Sequence, residues 1–548
     1  MADTKEYTLI LQDGASKDVI ASKVDSVIYR MPSNDKMMVV SLTIAQYQRL
    51  FDDNLIIDAG DNELHDSLIE DFAVKDVSYK RYMPLGESIS QINPENNSNW
   101  GLIRHSNDTN ITTFETQTTQ QYTYNYDGSG VDLFWLASDM IDVDDPEFKN
   151  PDGESRIQQF QFNTLTGLEE LPTIDYNTVG RDESRVNHAE ACLKIACGNT
   201  HGWATGAKIF IVPRSRIRYT FWHEIVRQFH LQKGNSRPTA CGSAYGYKST
   251  PGVIHTVNFR GQGETRNYGG NDITTKNVYK GFIGFGIPVY HTYLDSLAFT
   301  QPVDDLCAAG VINVAAAGNY ANKHALPDNI DFNNYYRTYL TSANRVSAIK
   351  TYYNRNQPTF GVSTGQGGDT IAVAALASAF GWNTELHGQK ETLTDFSDRG
   401  DRVDCCAAGE NIEFRLTSYN PNGINKLYSG TSFASPQILG MACLVLQKYP
   451  TTTPAQMRKF FREHAISSEK LFDTNRKPIE NSNKFGDFTY FDDVIGLQGY
   501  SGNITYLDPV LPFNPSTITD TSVVSTEPTI SGRLNFTIDE INTKLASI

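Results

Sequence analysis

A serine, two histidines and a short run of aspartates are the residues of this chain whose types and spacing could do acyl-transfer chemistry. Ser432 lies in Gly-Thr-Ser-Phe-Ala-Ser-Pro, residues 430–436. A serine hydroxyl is a weak nucleophile until it has a fixed position, a base, and donors for the oxyanion its attack creates. Gly430 lets the chain turn sharply ahead of it. The run Phe433 to Leu446 is apolar almost all round, which predicts a buried helix with Ser432 at its N-terminus, close to backbone N–H groups and the positive dipole end. Pro436 is expected in the first turn, where a missing N–H costs little. Two histidines compete as the base. His188 precedes Ala191, Cys192, Ile195 and Ala196, spaced for a helix that ends at Gly198-Asn199, whereas His201 lies in Asn-Thr-His-Gly-Trp. Asp139 follows the apolar strand Val131 to Leu136, while Asp132 alternates to the wrong face of that strand. Asp142, Asp144 and Asp145 form an acidic cluster, read as a solvated loop in preference to a calcium site.

The elements that must position these residues read as α/β. From about 126 to 466, short apolar strands alternate with helices, the pattern of a doubly wound, mostly parallel sheet with helices on both faces. Residues 1–80 read as a small α+β unit. Tyr7 to Leu11 is a strand before the turn at Asp13-Gly14, Met37 to Leu42 is a second strand, and Thr43 caps a helix with Ile44, Tyr47 and Phe51 on one face. Leu55 to Asp58 returns as a strand. Residues 81–120 are polar and read as a linker before a domain spanning 121–466. Residues 467–548 read as a C-terminal extension, with the Ser/Thr-rich strip 514–531 flexible or laid on a surface.

The 548 residues allow roughly two to four domains. Lysine and arginine number 47 against 63 acidic residues, a formal charge of −16, which argues against nucleic acid as the main partner. No apolar run reaches membrane-spanning length, so no membrane partner is expected. The N-terminal MADTKEYTLILQDG lacks a basic segment followed by an apolar one, which points to intracellular synthesis. Seven cysteines, with no Cys-x-x-Cys pair, read as reduced buried thiols. No cofactor is expected.

The whole heptapeptide resembles the nucleophile motif of the subtilases (subtilisin-like serine proteases, peptidase family S8). Val311 to Asn319, VINVAAAGN, resembles the subtilase strand ending in the oxyanion asparagine, which implies that Asn319 donates to the developing negative charge. Asp395 to Ile412 resembles the stretch ahead of the nucleophile. Ser236 to Gly246 resembles the substrate-binding strand, which implies that Ser243, Ala244, Tyr245 and Gly246 form an edge that pairs with extended peptide. Thr200 to Val212 resembles, without a gap, the loop and strand after the base helix of proteinase-K-like subtilases, which favours His188 over His201 as the base. Ala189-Glu190-Ala191 departs from the family's small Gly-Thr-His there, and Glu190 is expected to add bulk and charge to the cleft. In the family the acid ends the first core strand. Counting from the turn at 127–130 puts Ala137 there, and counting back from Asp145-Pro-Glu-Phe148 puts Ser138 there. A one-residue bulge would bring in Asp139.

Residues 7–63 resemble the subtilisin propeptide, or inhibitor-type, domain, which implies that the N-terminal unit occupies the active site as an inhibitor. Asn99 to Arg104, NWGLIR, resembles the start of a mature enzyme. The SRPT…GSAYGY stretch and DFNNYY, residues 331–336, resemble subtilase-like proteins of tailed bacteriophages more softly. Two functions follow from these resemblances. One is a serine endopeptidase acting on polypeptides, impaired if Asp139 does not complete the triad. The other is a weak or inactive subtilase-fold structural protein of a phage virion, in contact with other virion proteins.

Overall fold

The computed structural model describes residues 4–31, 34–62, 69–71, 99–105, 125–137, 141–158, 161–163, 167–169, 188–213, 219–234, 237–247, 255–256, 297–319, 324, 326, 335–342, 345–352, 360–361, 368–377, 393–394, 396–398, 400, 402–414 and 426–463. The expected C-terminal extension, most of the linker, Ser138, Asp139 and Asp331–Asn334 lie outside them.

The N-terminal unit contains β1 (Thr4–Leu11), β2 (Ser26–Arg30), β3 (Met37–Thr43), α1 (Ile44–Asp52) and β4 (Ile56–Asp61), and its sheet has the order β2-β3-β1-β4. Thr43 caps α1 as expected. Its Oγ accepts from Gln46 N–H at 3.2 Å while Gln46 Oε1 accepts from Thr43 N–H at 2.7 Å, a reciprocal capping box. The strand β2 was not anticipated. One face of the sheet packs Leu9, Leu11, Val40 and Leu42 with Leu50 of α1, and the other turns Ile10, Tyr29, Met37 and Val39 toward the rest of the molecule.

After the short strand β5 (Ile69–Asp71), the larger unit runs β6 (Asp132–Ala137), β7 (Ile157–Gln158), α2 (His188–Cys197), β8 (Lys208–Pro213), α3 (Tyr219–Lys233), β9 (Thr239–Ser243), β10 (Tyr245–Tyr247), α4 (Leu297–Ala308), β11 (Ile312–Ala316), β12 (Ile371–Leu376), β13 (Cys405–Ala408), α5 (Thr431–Lys448) and α6 (Pro454–Glu463). Seven strands form one sheet in the order β13-β12-β11-β9-β6-β8-β7, with every pair parallel. This is the doubly wound α/β architecture expected. Its strands are apolar on both faces because helices cover both. In β6, Leu133 and Trp135 pack into the core shared with α2 and α5, while Phe134 and Leu136 pack into the core shared with α3 and α4. The chain reverses direction across the sheet between β6 and β9, and a crevice outside the carboxyl ends of strands forms at such a point.

The helix α5 is buried from Thr431 to Leu446. It crosses α2 so closely that a Cβ on Gly440 would lie 2.5 Å from Ala196 O and 2.6 Å from Trp203 Cβ. Glycine at that crossing is what lets the two helices bring their N-termini together. Asp132 sits at the opposite end of β6, fully buried, with Lys233 at 2.5 Å and Arg237 at 3.0 Å. It is a structural ion pair, in keeping with the face its position predicts.

Candidate active site

Ser432 is the second residue of α5, behind Gly430, whose φ of 155° and ψ of 156° lie in a region glycine alone adopts readily. The helix begins at Thr431, two residues earlier than expected. Pro436 therefore falls inside the helix and not in its first turn. Its missing N–H would have bonded the carbonyl four residues back, which is that of Ser432. The thiol of Cys192 supplies a donor instead, at 3.1 Å from Ser432 O.

His188 opens α2, and its ring stands edge-on to Phe433 with centroids 5.5 Å apart. Cys192, one turn along α2, places Sγ 3.6 Å from His188 Nε2. The same thiol thus touches the imidazole of His188 and the backbone of Ser432. The base candidate and the nucleophile candidate stand on the adjoining N-termini of two packed helices. His201 is elsewhere. Its Nδ1 lies 3.3 Å from Glu147 Oε1, and its carbonyl accepts from Asn99 Nδ2 at 2.7 Å. Burial raises the Glu147 carboxyl, but His201 and the Thr200 donors outweigh it and hold the group down at about 2. His201 is the partner of a structural carboxylate.

Asn319 follows the carboxyl end of β11. Its Oδ1 accepts from Thr431 N–H at 2.8 Å and from Thr431 Oγ at 2.9 Å, and Thr431 Oγ accepts from Gly318 N–H at 3.1 Å. These bonds fix the orientation of the amide and make Nδ2 its donor arm. Thr431 was missed by sequence reasoning, although its place beside Ser432 in the heptapeptide was the available signal. Cys192 was missed as well, and its i, i+4 spacing from His188 could have revealed it.

Two acidic residues, Glu190 and Asp145, depart from expectation. Glu190 is fully buried and does not project charge into a cleft. It pairs with Lys194 at 3.0 Å, Lys194 pairs with buried Asp145 at 2.7 Å, and Asp142 N–H donates to Glu190 Oε2 at 3.3 Å. Burial works against the Lys194 ammonium, but the two carboxylates prevail and raise its pKa above the ordinary lysine value. Of the acidic cluster, Asp145 is therefore not part of a solvated loop. It caps the turn Pro146–Phe148 and ties the segment after β6 to α2. Among the described residues no group of three His, Cys, Asp or Glu side chains is placed to hold a metal ion. All seven cysteines are buried and unbridged.

The expected substrate edge divides in two. Ser243 ends β9 in the middle of the sheet, paired with Leu136 on one side and Ala315 on the other, so it is not at an edge. Tyr245 and Gly246 lie in β10, which pairs antiparallel with β5: Tyr245 opposite Asp71, Gly246 opposite Glu70, Tyr247 opposite Ile69. The N-terminal unit thus sends an extended segment onto the strand expected to receive peptide.

The Subtilase family matches residues 285–487 of this chain. Subtilisin of Bacillus pumilus is 38% identical over 89 residues, which cover 16% of this chain and 27% of that protein. Subtilisin E of Bacillus subtilis (strain 168) is 43% identical over 89 residues, 16% of this chain and 19% of that protein. The match thus spans about a quarter or less of the length of these relatives. Among solved structures, fervidolysin from Fervidobacterium pennivorans, a keratinolytic enzyme related to subtilisin, overlaps 93% of this chain and 61% of its own at 16% identity and a TM-score of 0.47. Residues 285–487 are similar to the Subtilase family, and the described residues form a doubly wound α/β fold with a seven-stranded parallel sheet.

Proposed function

We propose that the protein is a serine endopeptidase whose nucleophile is Ser432 and whose general base is His188. The observation that carries this reading is the meeting of the α2 and α5 N-termini, with Cys192 touching both candidate residues and Thr431 orienting Asn319 beside them. In the reaction, Ser432 Oγ attacks the peptide carbonyl carbon and its proton passes to His188. The oxyanion accepts hydrogen bonds from Asn319 Nδ2 and the Ser432 N–H. His188 then protonates the leaving amine, and the acyl-enzyme is hydrolysed by a water that His188 deprotonates. Asp139, outside the described residues, is the proposed acid that orients His188.

The segment Ile69–Asp71 on β10 supports an inhibitory role for the N-terminal unit, since strand addition is also how an extended substrate would bind. A full-length chain carrying Glu70→Pro places a residue that strands disfavour in the middle of that short pairing and is expected to hydrolyse a chromogenic peptide amide faster than the unsubstituted chain. Ser432→Ala in the same background is expected to abolish turnover. Equal hydrolysis with and without Ser432 would defeat the reading. A second reading, a fold retained as a virion structural protein, is favoured by the core that the N-terminal unit shares with the larger one. It predicts no Ser432-dependent hydrolysis in either chain.

A further inference from the structure

The loop that presents Asn319 is gripped from behind by two buried residues outside the proposed catalytic set. His324 Nε2 lies 3.0 Å from Ala317 O and 3.0 Å from Asp398 Oδ2. Both partners are acceptors, so Nε2 carries the hydrogen they share. The Asp398 backbone N–H donates in turn to Gly318 O at 2.8 Å. The carbonyls of the two residues immediately before Asn319 are thus both held by this pair. His324 is itself immobilised. Its ring stands edge-on to Phe360 at 5.3 Å, its carbonyl accepts from Arg402 N–H at 3.1 Å, and both His324 and Asp398 are fully buried.

We propose that His324 and Asp398 are positioning residues for the oxyanion donor Asn319, a role that rests on the endopeptidase reading above. Thr431 fixes the amide of Asn319 from the front, while the His324–Asp398 pair fixes the two peptide planes that lead into its Cα. A donor to an oxyanion acts only if it already stands where charge will develop. Removing the imidazole leaves Ala317 O and a buried carboxylate oxygen short of a donor, and the loop relaxes to satisfy them. The loss falls on kcat and spares KM, because the oxyanion exists only beyond the ground state. A histidine that merely stabilises the loop would act whether or not residue 319 carries an amide.

The test is a double-mutant cycle in the full chain carrying Glu70→Pro, with hydrolysis of a chromogenic peptide amide as the readout. Asn319→Ala is expected to lower kcat by about 10²–10³-fold, the range known for removing one such donor in subtilisin. His324→Ala is expected to lower kcat about 10-fold or more with KM within about twofold, and to add less than about threefold once Asn319 is already alanine. His324→Gln, which retains an N–H donor, is expected to recover most of the loss, and it provides the comparison if the alanine chain does not fold. Full additivity of the His324 and Asn319 effects overturns the positioning role and leaves the endopeptidase reading intact. Absence of both hydrolysis and phosphonate modification of Ser432 in the Glu70→Pro chain overturns the endopeptidase reading, and the positioning role falls with it.

Discussion

Pro436 shows how one residue organises its neighbours. Inside α5 it cannot donate to Ser432 O, and a carbonyl buried without a donor is costly. Cys192 answers that cost from the facing helix. In this role the thiol works as a short apolar side chain with one weak donor. Replacing it with valine removes the donor and adds about one methyl group of volume, and is expected to cost about 1–3 kcal/mol of stability or more. Serine at the same position keeps a donor and is expected to cost less. Urea unfolding of Cys192→Val and Cys192→Ser measures the difference, and an equal loss in both would show that Ser432 O does not need the bond.

At the scale of elements, α3 links the buried core to the strand that receives β5. His223 of α3 is buried, with Nδ1 3.5 Å from the Tyr245 hydroxyl of β10. Burial pushes its pKa down from 6.5 to about 3. The folded state therefore keeps the ring neutral where the unfolded chain would protonate it. The stability this contributes is complete above about pH 6.5 and is lost as pH falls toward about 3. Unfolding free energy measured across that window is expected to fall by up to ~1.4 kcal/mol per pH unit from this group, and His223→Gln is expected to flatten that part of the curve. An unchanged slope in the glutamine chain would contradict it. Much at this scale was legible in the sequence. The α5 helix, the cap at Thr43 and the helix opened by His188 follow from local periodicity and capping chemistry, which act within a few residues. The buried chain Glu190–Lys194–Asp145 was not legible, because a charged side chain reads as solvated until its partner is known. The start of α5 at Thr431 was misread because Pro436 is ordinarily a first-turn residue. The antiparallel pairing of residues 69–71 with 245–247 is non-local, and periodicity carries no record of it.

At the scale of the whole molecule, the N-terminal unit is built into the larger one. Ile10, Tyr29, Met37 and Val39 share a core with Trp222, Phe299 and Leu306. Polar bonds cross the same boundary: Gln228 Nε2 donates to Tyr29 Oη at 2.6 Å, and Ala298 N–H donates to Asp58 Oδ2 at 3.1 Å. Burial drives the Tyr29 phenol upward, so it remains a neutral partner. A unit seated this firmly holds β5 on β10 by linkage, since its departure would expose that shared core to water. The strand β10 is thus covered by a segment that the same chain supplies. Modification of Ser432 by a small fluorophosphonate, located by peptide mass spectrometry in the full chain with and without Glu70→Pro, addresses the central assignment directly. The expected result is one phosphonate adduct on Ser432, formed faster in the Glu70→Pro chain and slowed strongly by His188→Ala. A folded Glu70→Pro chain in which Ser432 stays unmodified would contradict it.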